Sequence, residues 1–507
     1  MESNTVINSS KEEFLFAEIT VEKLLDGYTE KEYTAEEVVQ SYLKRIEKYH
    51  SSYNAFTFIN NNALNEAKEI DRKMAAGEKL GVLAGIPIVI KEAVDVAGFP
   101  STFGWAPLAK DAGGIELIPA KDATVVTRLK EAGAIILGKT NIPAFSCAYN
   151  ANSSWKGPTY NAVDRNLTPG GSSSGTATAV SGNFAVLGVA EETAGSIQVP
   201  AAAQSLVGIK PSFGLIPTTG VTPLAGSTRD VLGPHARTIK DAAIMLDVMA
   251  GYSSDDPKTV SSTVPAAGYT SFLKENSLEG KRLGLYGSGW RKTQLSPETN
   301  KLYKTAVERI KSQGAQVIED PFAGTGLADF MKTTATFLGM ESFFYDLQSY
   351  LKNLNRELTV EKVFDKAGKI PWKEDGPLRP VLNNINLETA RQNAERLPDL
   401  TEFNLVKNEL LRIITHVMAE NELDGFVYPT FLEALPELKA ENIATSTISE
   451  INISGLPLVT VPAGYYDSGS PFALAFFSKM WSEGELLGMA FAYEQVSKGR
   501  VMPELIG

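Results

Sequence analysis

Histidine and cysteine are nearly missing from this chain. Its 507 residues hold three histidines, His50, His235 and His416, and one cysteine, Cys147. A single cysteine excludes an intramolecular disulfide and a cysteine-based zinc site. Three histidines leave few places for a mechanism that needs a histidine base. Positive charge is also short. The 48 Lys and Arg against 60 Asp and Glu give a net charge of −12, which argues against a nucleic-acid partner. No run approaches the roughly 20 apolar residues of a membrane span. Met1 to Phe14 carries Lys11, Glu12 and Glu13 and no apolar core, so it does not read as a signal peptide. A cytoplasmic protein with no membrane span, no nucleic-acid partner, no cofactor and no metal is expected, either a monomer or a homodimer.

What is present reads as an α/β protein. With 43% hydrophobic residues, 42 Gly and 26 Pro, the balance is that of a globular chain, and the length permits a large core. Residues 18–75 read as helices, with Thr34 and Glu37 as a capping box and Val38, Val39, Tyr42, Leu43 and Ile46 on one face. His50 reads as lying just past that helix at a solvated end. Ile86 to Ile90 is a β-branched run that ends at Lys91, the pattern of a buried strand with a charge at its tip. Asp122 to Ala132 reads as a helix stopped by Gly133, followed by a strand at Ala134 to Leu137. Helix and apolar strand at such close spacing argue an α/β core. Further strands are expected at 281–286, 424–428 and 458–462. Helices are expected from Thr238, from Ser296-Pro297, over most of 325–420, and at 484–495. His235 follows Gly233-Pro234 and reads as lying in a turn, and His416 falls in the periodic run Leu405 to Met418, a packed helix position. No linker or repeat divides the chain. One unit over 1–507 is expected: N-terminal helices (18–75), a core (76–320), a variable helical region over the cleft (320–420), and a return to the sheet (421–507).

Two motif matches fail on context. Gly133 to Thr140 fits the P-loop pattern, yet a helix precedes it and four large apolar residues fill the supposed phosphate cradle. Gly171-Ser172-Ser173-Ser174-Gly175 fits the nucleophile elbow, yet a Pro-Gly-Gly turn leads into it instead of a strand.

The remaining chemistry lies in serines and one lysine. Pro169 to Gly175 places three hydroxyls in a row beside a long stretch of small, uncharged residues that looks buried. Buried hydroxyls must be hydrogen-bonded, so they form a network. Ser173 and Ser174 read as structural members of it. Small residues before Ser196 let backbone N–H groups approach a ligand closely, as an oxyanion hole requires. Lys91 is the candidate base outside the histidines, because a desolvated lysine loses its proton more easily. Cys147 reads as a small core residue.

These residues resemble the amidase signature family. The resemblance runs through Gly85-Ile86-Pro87, Lys91, Gly138-Lys139-Thr140-Asn141, Pro169-Gly170-Gly171-Ser172-Ser173, Gly195-Ser196-Ile197, Pro200-Ala201, Gly208-Ile209-Lys210-Pro211 and Gly214-Leu215. It continues in Gly455-Leu456-Pro457 and Val461 to Gly464. It covers about residues 30–495 and is weakest near 320–420. It implies a large mixed, twisted β-sheet covered by helices on both faces, and a Ser–cis-Ser–Lys triad. Ser196 matches the nucleophile, Ser172 the bridging serine after a cis peptide bond, and Lys91 the base. The N–H groups of Thr193, Ala194, Gly195 and Ser196 match the oxyanion hole. The implied activity is hydrolysis of a small-molecule carboxylic amide through an acyl-enzyme. Carbamate or ester hydrolysis by the same triad, the amidase component of a tRNA-dependent amidotransferase, and a catalytically silent binding protein remain open. An ordinary lysine pKa near 10.4 leaves about one molecule in 2,500 with neutral Lys91 at pH 7, so burial must lower it or activity must rise into alkaline pH.

The chain departs from the family's usual pattern in four places. Glu92 stands where Asp is common, Ala190-Glu191-Glu192 where Gly-Thr-Asp is usual, Ala194 where Gly is frequent, and Gln198 where Arg is frequent. These changes imply a rewired surrounding of the triad. The aromatic cluster Phe337, Phe343, Phe344 and Tyr345 reads either as helix core or as a lining of the cleft.

Overall fold

The computed structural model describes residues 14–149, 152–373, 375–382, 385–440 and 442–507. Most of the segment Met1 to Phe14, tested above for a leader, lies outside them.

Thirteen strands occur among the described residues. The first seven are β1 (Phe56–Ile59), β2 (Pro87–Lys91), β3 (Ile135–Thr140), β4 (Asn152–Ser153), β5 (Gly157–Pro158), β6 (Leu187–Glu192) and β7 (Val207–Lys210). The rest are β8 (Val231–Ala236), β9 (Arg282–Leu285), β10 (Gln316–Ile318), β11 (Gly425–Pro429), β12 (Leu458–Tyr465) and β13 (Pro471–Phe477). β4 and β5 form a small hairpin of their own. The other eleven form one mixed sheet in the order β1-β3-β2-β6-β8-β7-β12-β13-β11-β9-β10. β3, β2 and β6 run parallel, β6 to β11 pair antiparallel through β8, β7, β12 and β13, and β11, β9 and β10 are again parallel.

Every residue of β2, β6, β8, β11 and β13 is buried. Successive side chains point to opposite faces, so such strands need cover on both. Helices supply it. The helix Ser174–Ser181 is buried at every position and lies against β2, β3, β6 and β8. Its small residues allow the close approach: a Cβ on Gly188 of β6 would sit 2.4 Å from Thr176 Cγ2. Ile239–Met249 packs on β6, β7 and β8, and Glu483–Ser497 on β12 and β13.

The N-terminal helices are Val21–Glu30, Ala35–Tyr53 and Ala63–Ala75, with the Thr34–Glu37 capping box formed as expected. The strands expected near 86–91, 134–137, 281–286, 424–428 and 458–462 are present, as are the helices that start at Ile239 and Pro297.

Each histidine departs from its sequence reading. His50 lies inside the last turn of Ala35–Tyr53 and is half-buried, with Nδ1 unpartnered and burial pushing its pKa down. His235 is in a strand, β8, and fully buried; the Gly233-Pro234 pair before it had pointed to a turn. That Gly is needed because a Cβ there would meet the Ile209 carbonyl. His416 is exposed, since Ile413, Ile414 and Val417 form the buried stripe of its helix, Thr401–Glu420. The aromatic cluster does not line the cleft described below. Phe343 and Phe344 belong to a side core with Trp105, Phe145, Phe364 and Trp372, Phe337 is 45% exposed, and Tyr345 faces a separate hollow with Asp346 and Thr218.

Candidate active site

The site lies past the carboxyl ends of the parallel pair β2 and β6. In open α/β sheets that is where strand ends leave a crevice for ligands. β2 ends at Lys91 and β6 at Glu192, with Ile88 opposite Leu187 and Ile90 opposite Val189. Both strand tips therefore emerge together.

Lys91 is 0% exposed. Its Nζ lies 2.7 Å from Ser172 Oγ, 2.7 Å from Glu191 Oε2 and 3.0 Å from the Glu191 carbonyl oxygen. Burial pushes Lys91 below its ordinary range, while Glu191, then Asp230 and Glu192, pull it back up; burial outweighs them. Ser172 follows Gly170-Gly171, and the Gly171–Ser172 peptide bond is cis. A Cβ on Gly171 would lie 2.6 Å from the Ala148 carbonyl, so only glycine fits there. Ser173 Oγ donates to the Glu191 carbonyl at 3.1 Å and accepts from its N–H at 3.3 Å. Ser174 Oγ reaches the Asn141 carbonyl at 3.5 Å. Both serve as the structural hydroxyls expected.

After β6 the chain turns through Thr193-Ala194-Gly195-Ser196 into the helix Gln198–Ala203. Glu192 fixes this turn from inside. Its carboxylate accepts from the N–H groups of Ile197 (2.7 Å) and Gln198 (3.1 Å), from Gln198 Nε2 (2.8 Å) and from Asn452 Nδ2 (2.9 Å). Gln198, where the family often has Arg, thus serves as a neutral donor to this carboxylate. Gly195 takes φ +98°, while Ala194 is not among the described residues with positive φ, so its methyl is tolerated. Outside, Tyr149 Oη donates to the Ala194 carbonyl at 2.5 Å. Among the described residues, the N–H groups of Ala194, Gly195 and Ser196 donate to no protein group. Ser196 is 6% exposed, and its hydroxyl makes no hydrogen bond to the described residues, Ser172 included.

His235 Nε2 lies 2.9 Å from the Ile197 carbonyl, which only accepts, so the ring proton sits on Nε2. Burial pushes its pKa down to about 4, and the ring is neutral at pH 7. It supports the turn and has no path to a substrate proton. Glu92 points away from the triad and accepts from Thr102 N–H (2.6 Å) and Oγ1 (2.9 Å). Burial raises its pKa, and Lys139 nearby works against that rise.

A cleft of about 590 Å³ opens at Ala194, lined also by Tyr149, Arg291, Lys332, Thr336 and Ile448. Arg291 pairs bidentately with Glu450 at 2.6 and 3.0 Å. Ala328, Met331 and Thr334 also line the cleft. Among the described residues, no three His, Cys, Asp or Glu side chains cluster as metal ligands, and no helix is long and apolar enough to cross a membrane.

The family's sequence model, named Amidase, matches residues 37–487. The chain belongs to the amidase family. The A-subunit of glutamyl-tRNA(Gln) amidotransferase from Trichodesmium erythraeum is 31% identical to this chain over 483 residues, 92% of this chain and 96% of that protein. Its namesake from Rippkaea orientalis is 30% identical over 491 residues, 94% and 97% of the two chains. Among solved structures, native peptide amidase from Stenotrophomonas maltophilia superposes with a TM-score of 0.77 at 29% identity, covering 97% of this chain and 100% of that one.

Sequence reasoning missed the partners of the triad. Glu191, Asp230 and Tyr149 were not singled out as neighbours of these atoms. One signal was available. Glu191 and Glu192 are the only charged residues between Asn166 and Ile209, in a stretch of small and apolar residues. Buried charges need partners, so two adjacent carboxylates there call for a cation and several donors.

Proposed function

We propose that this amidase hydrolyses a carboxylic amide through an acyl-enzyme on Ser196, with Ser172 and Lys91 as the proton relay. The observation that carries the reading is the fully buried Lys91 Nζ, 2.7 Å from Ser172 Oγ, beside a turn in which the N–H groups of Ala194, Gly195 and Ser196 donate to none of the described residues. In the cycle, neutral Lys91 takes a proton from Ser172 as Ser172 takes one from Ser196. Ser196 Oγ attacks the amide carbonyl, and the N–H groups of Thr193, Ala194, Gly195 and Ser196 hold the oxyanion. The C–N bond breaks and the amine leaves with the relayed proton. Water then attacks the ester by the same relay, releasing the acid and restoring Ser196. The turn geometry supports this division of labour, since Glu192 and Tyr149 hold the peptide frame and engage none of the N–H groups of Ala194, Gly195 and Ser196. In apo structures catalytic hydrogen bonds are often loose, and the Ser172–Ser196 bond is expected to form with substrate bound.

The substrate of this reading is a small-molecule amide, taken up by a free-standing enzyme. A second reading rests on the glutamyl-tRNA(Gln) amidotransferase relatives, which match over more than nine-tenths of this chain. In that reading the ammonia released at Ser196 passes to a partner. One experiment separates them: purified protein is offered aryl, fatty, peptide and cyclic amides together with carbamates and esters, alongside Ser196→Ala. Turnover that vanishes in the variant supports the free-standing hydrolase, and equal turnover in both proteins removes Ser196 from the mechanism. Activity that appears only with added partner proteins favours the second reading.

A further inference from the structure

The environment of Lys91 contains a group that a Ser–Ser–Lys relay does not need. An ammonium has three N–H donors, and Lys91 Nζ has three acceptors within reach: Ser172 Oγ, the Glu191 carbonyl and Glu191 Oε2. That arrangement matches a protonated lysine. A base must instead be neutral, with two donors and a lone pair. If two donors stay on the two Glu191 oxygens, the lone pair is left facing Ser172 Oγ–H. Glu191 therefore does two things at once. Its oxygens aim Lys91, and its carboxylate favours the charged form that cannot act as a base.

We propose that Glu191 is a positioning residue that sets the pH at which Lys91 becomes a base, holding it as an ammonium in a buried ion pair until one proton is lost to solvent. The inference rests on the reading of Ser196, Ser172 and Lys91 given above. In the activating step, one Lys91 N–H bond breaks and the proton passes to water. The two remaining N–H bonds stay on Glu191, and the freed electron pair takes the Ser172 proton in the chemical step.

The other ionisable groups around the pair do not replace Glu191. Glu192, the neighbour on β6, is committed to four donors in the Ser196 turn. From β8, His235 is neutral and bonded to Ile197. The covering helix, Ser174–Ser181, carries no charge. Lys139 on β3 faces Glu92 and Asp95. Asp230, just before β8, reaches Glu191 only through Thr193, whose hydroxyl lies 2.6 Å from Asp230 Oδ1 and 3.1 Å from Glu191 Oε1. One hydroxyl proton cannot serve two carboxylates, and burial with the Glu191 charge pushes Asp230 up to about 7. Glu191, not Asp230, is the carboxylate paired with Lys91, at 2.7 Å.

The test follows Ser196 itself and needs no knowledge of the natural substrate. A fluorophosphonate probe forms an O–P bond to Ser196 and expels fluoride, and intact mass reports the rate from pH 5 to 10. Wild type is expected to show an acid limb with its midpoint above neutrality. Glu191→Gln keeps the oxygens that aim Lys91 and removes the charge. Its midpoint is expected to fall by about one pH unit or more, so that well below both midpoints it is labelled roughly tenfold faster or more. Glu191→Asp is expected to restore the wild-type midpoint. Should Glu191→Gln not fold, Glu191→Thr serves as the neutral variant. Equal midpoints in wild type and a folded neutral variant overturn the role of Glu191 while the triad stands. A wild-type rate that is flat from pH 5 to 8 overturns it without any variant. If wild type is no more reactive than Ser196→Ala at any pH, the triad reading fails and this inference falls with it.

Discussion

At the residue scale, removing the nucleophile and removing the base have different physical consequences. Ser196 is slightly exposed in a turn held by Glu192 and Tyr149, and its hydroxyl bonds to no described group. Ser196→Ala is expected to lower amide turnover by at least about 10³-fold while the melting temperature stays within error. Lys91→Ala is expected to abolish turnover too, but it strands the Glu191 carboxylate without its cation in the interior. Breaking a buried pair from one side costs about 3–5 kcal/mol, so this variant alone should show a clear loss in denaturant midpoint. An unchanged midpoint would mean that the Lys91–Glu191 pair is not buried in solution. The histidines divide in the same way. His50→Gln and His416→Gln should leave turnover unchanged, and His235→Asn should cost stability while a folded fraction keeps its turnover within a few-fold. A histidine base would make one of the three inactive. Lys91, Ser172 and Ser196 were legible because a motif names them. The Lys91–Glu191 contact was not, because a pair of glutamates in a sequence does not say which cation, one hundred positions away, the fold brings to it.

At the scale of elements, the strand ends and the turn after β6 carry the site. Strands with an uninterrupted apolar run and clear stops, such as β2, β3, β11 and the first half of β12, are readable from side-chain pattern alone. β6, β7, β8 and β13 are not. Their alanines, glycines and prolines carry weak strand preference, and they form because neighbours on both sides of the sheet complete their hydrogen bonds. β8 is the sharpest case, since Gly233 and Pro234 signal a turn locally and are overruled by sheet packing. The turn itself depends on Gly195, which has φ +98° and whose added Cβ would lie 3.1 Å from both Ile448 Cδ1 and Val199 Cγ2. Gly195→Ala is therefore expected to cost about 1–2 kcal/mol in backbone strain. It should also displace the adjacent N–H groups, and a shift near 1 Å can lower turnover by about 10²-fold. Measured kcat should fall more than KM rises, because the misplaced donors serve the oxyanion more than the bound amide. A proportional rise in KM with kcat intact would place these N–H groups outside the oxyanion site.

At the scale of the whole molecule, two segments near the ends of the described chain, far apart in sequence, are tied together. Arg500 Nε and Nη2 each lie 2.7 Å from a Glu18 carboxylate oxygen. The same guanidinium donates to the Ser205 carbonyl at 2.9 Å and the Ser181 carbonyl at 3.0 Å, the latter at the end of the helix that covers the active-site strands. None of this was legible in the sequence, where Arg500 stands in a short C-terminal segment with no periodicity. Burial alone would raise the pKa of Glu18, but the Arg500 bonds and charge outweigh it, and the carboxyl is held below its usual value. A carboxylate whose folded pKa is depressed adds stability above its unfolded pKa, and loses it as pH falls through the folded value. Glu18 keeps 32% of its side chain exposed, so solvent screens part of the interaction. Arg500→Ala removes five hydrogen bonds, the long one to the Ser181 hydroxyl included, and leaves Glu18 with Asn183 and a more distant Arg237, so a loss of about 2–3 kcal/mol is expected at pH 7. That loss should shrink as the pH is lowered below about 4.5, where the wild type gives up the same contribution by protonation. Thermal melts of both proteins from pH 7 to 3.5, with Glu18→Ala completing a double-mutant cycle, measure the coupling directly. A difference in melting temperature that stays constant across that range would assign the effect of Arg500 to its two carbonyl bonds and remove Glu18 from the tie.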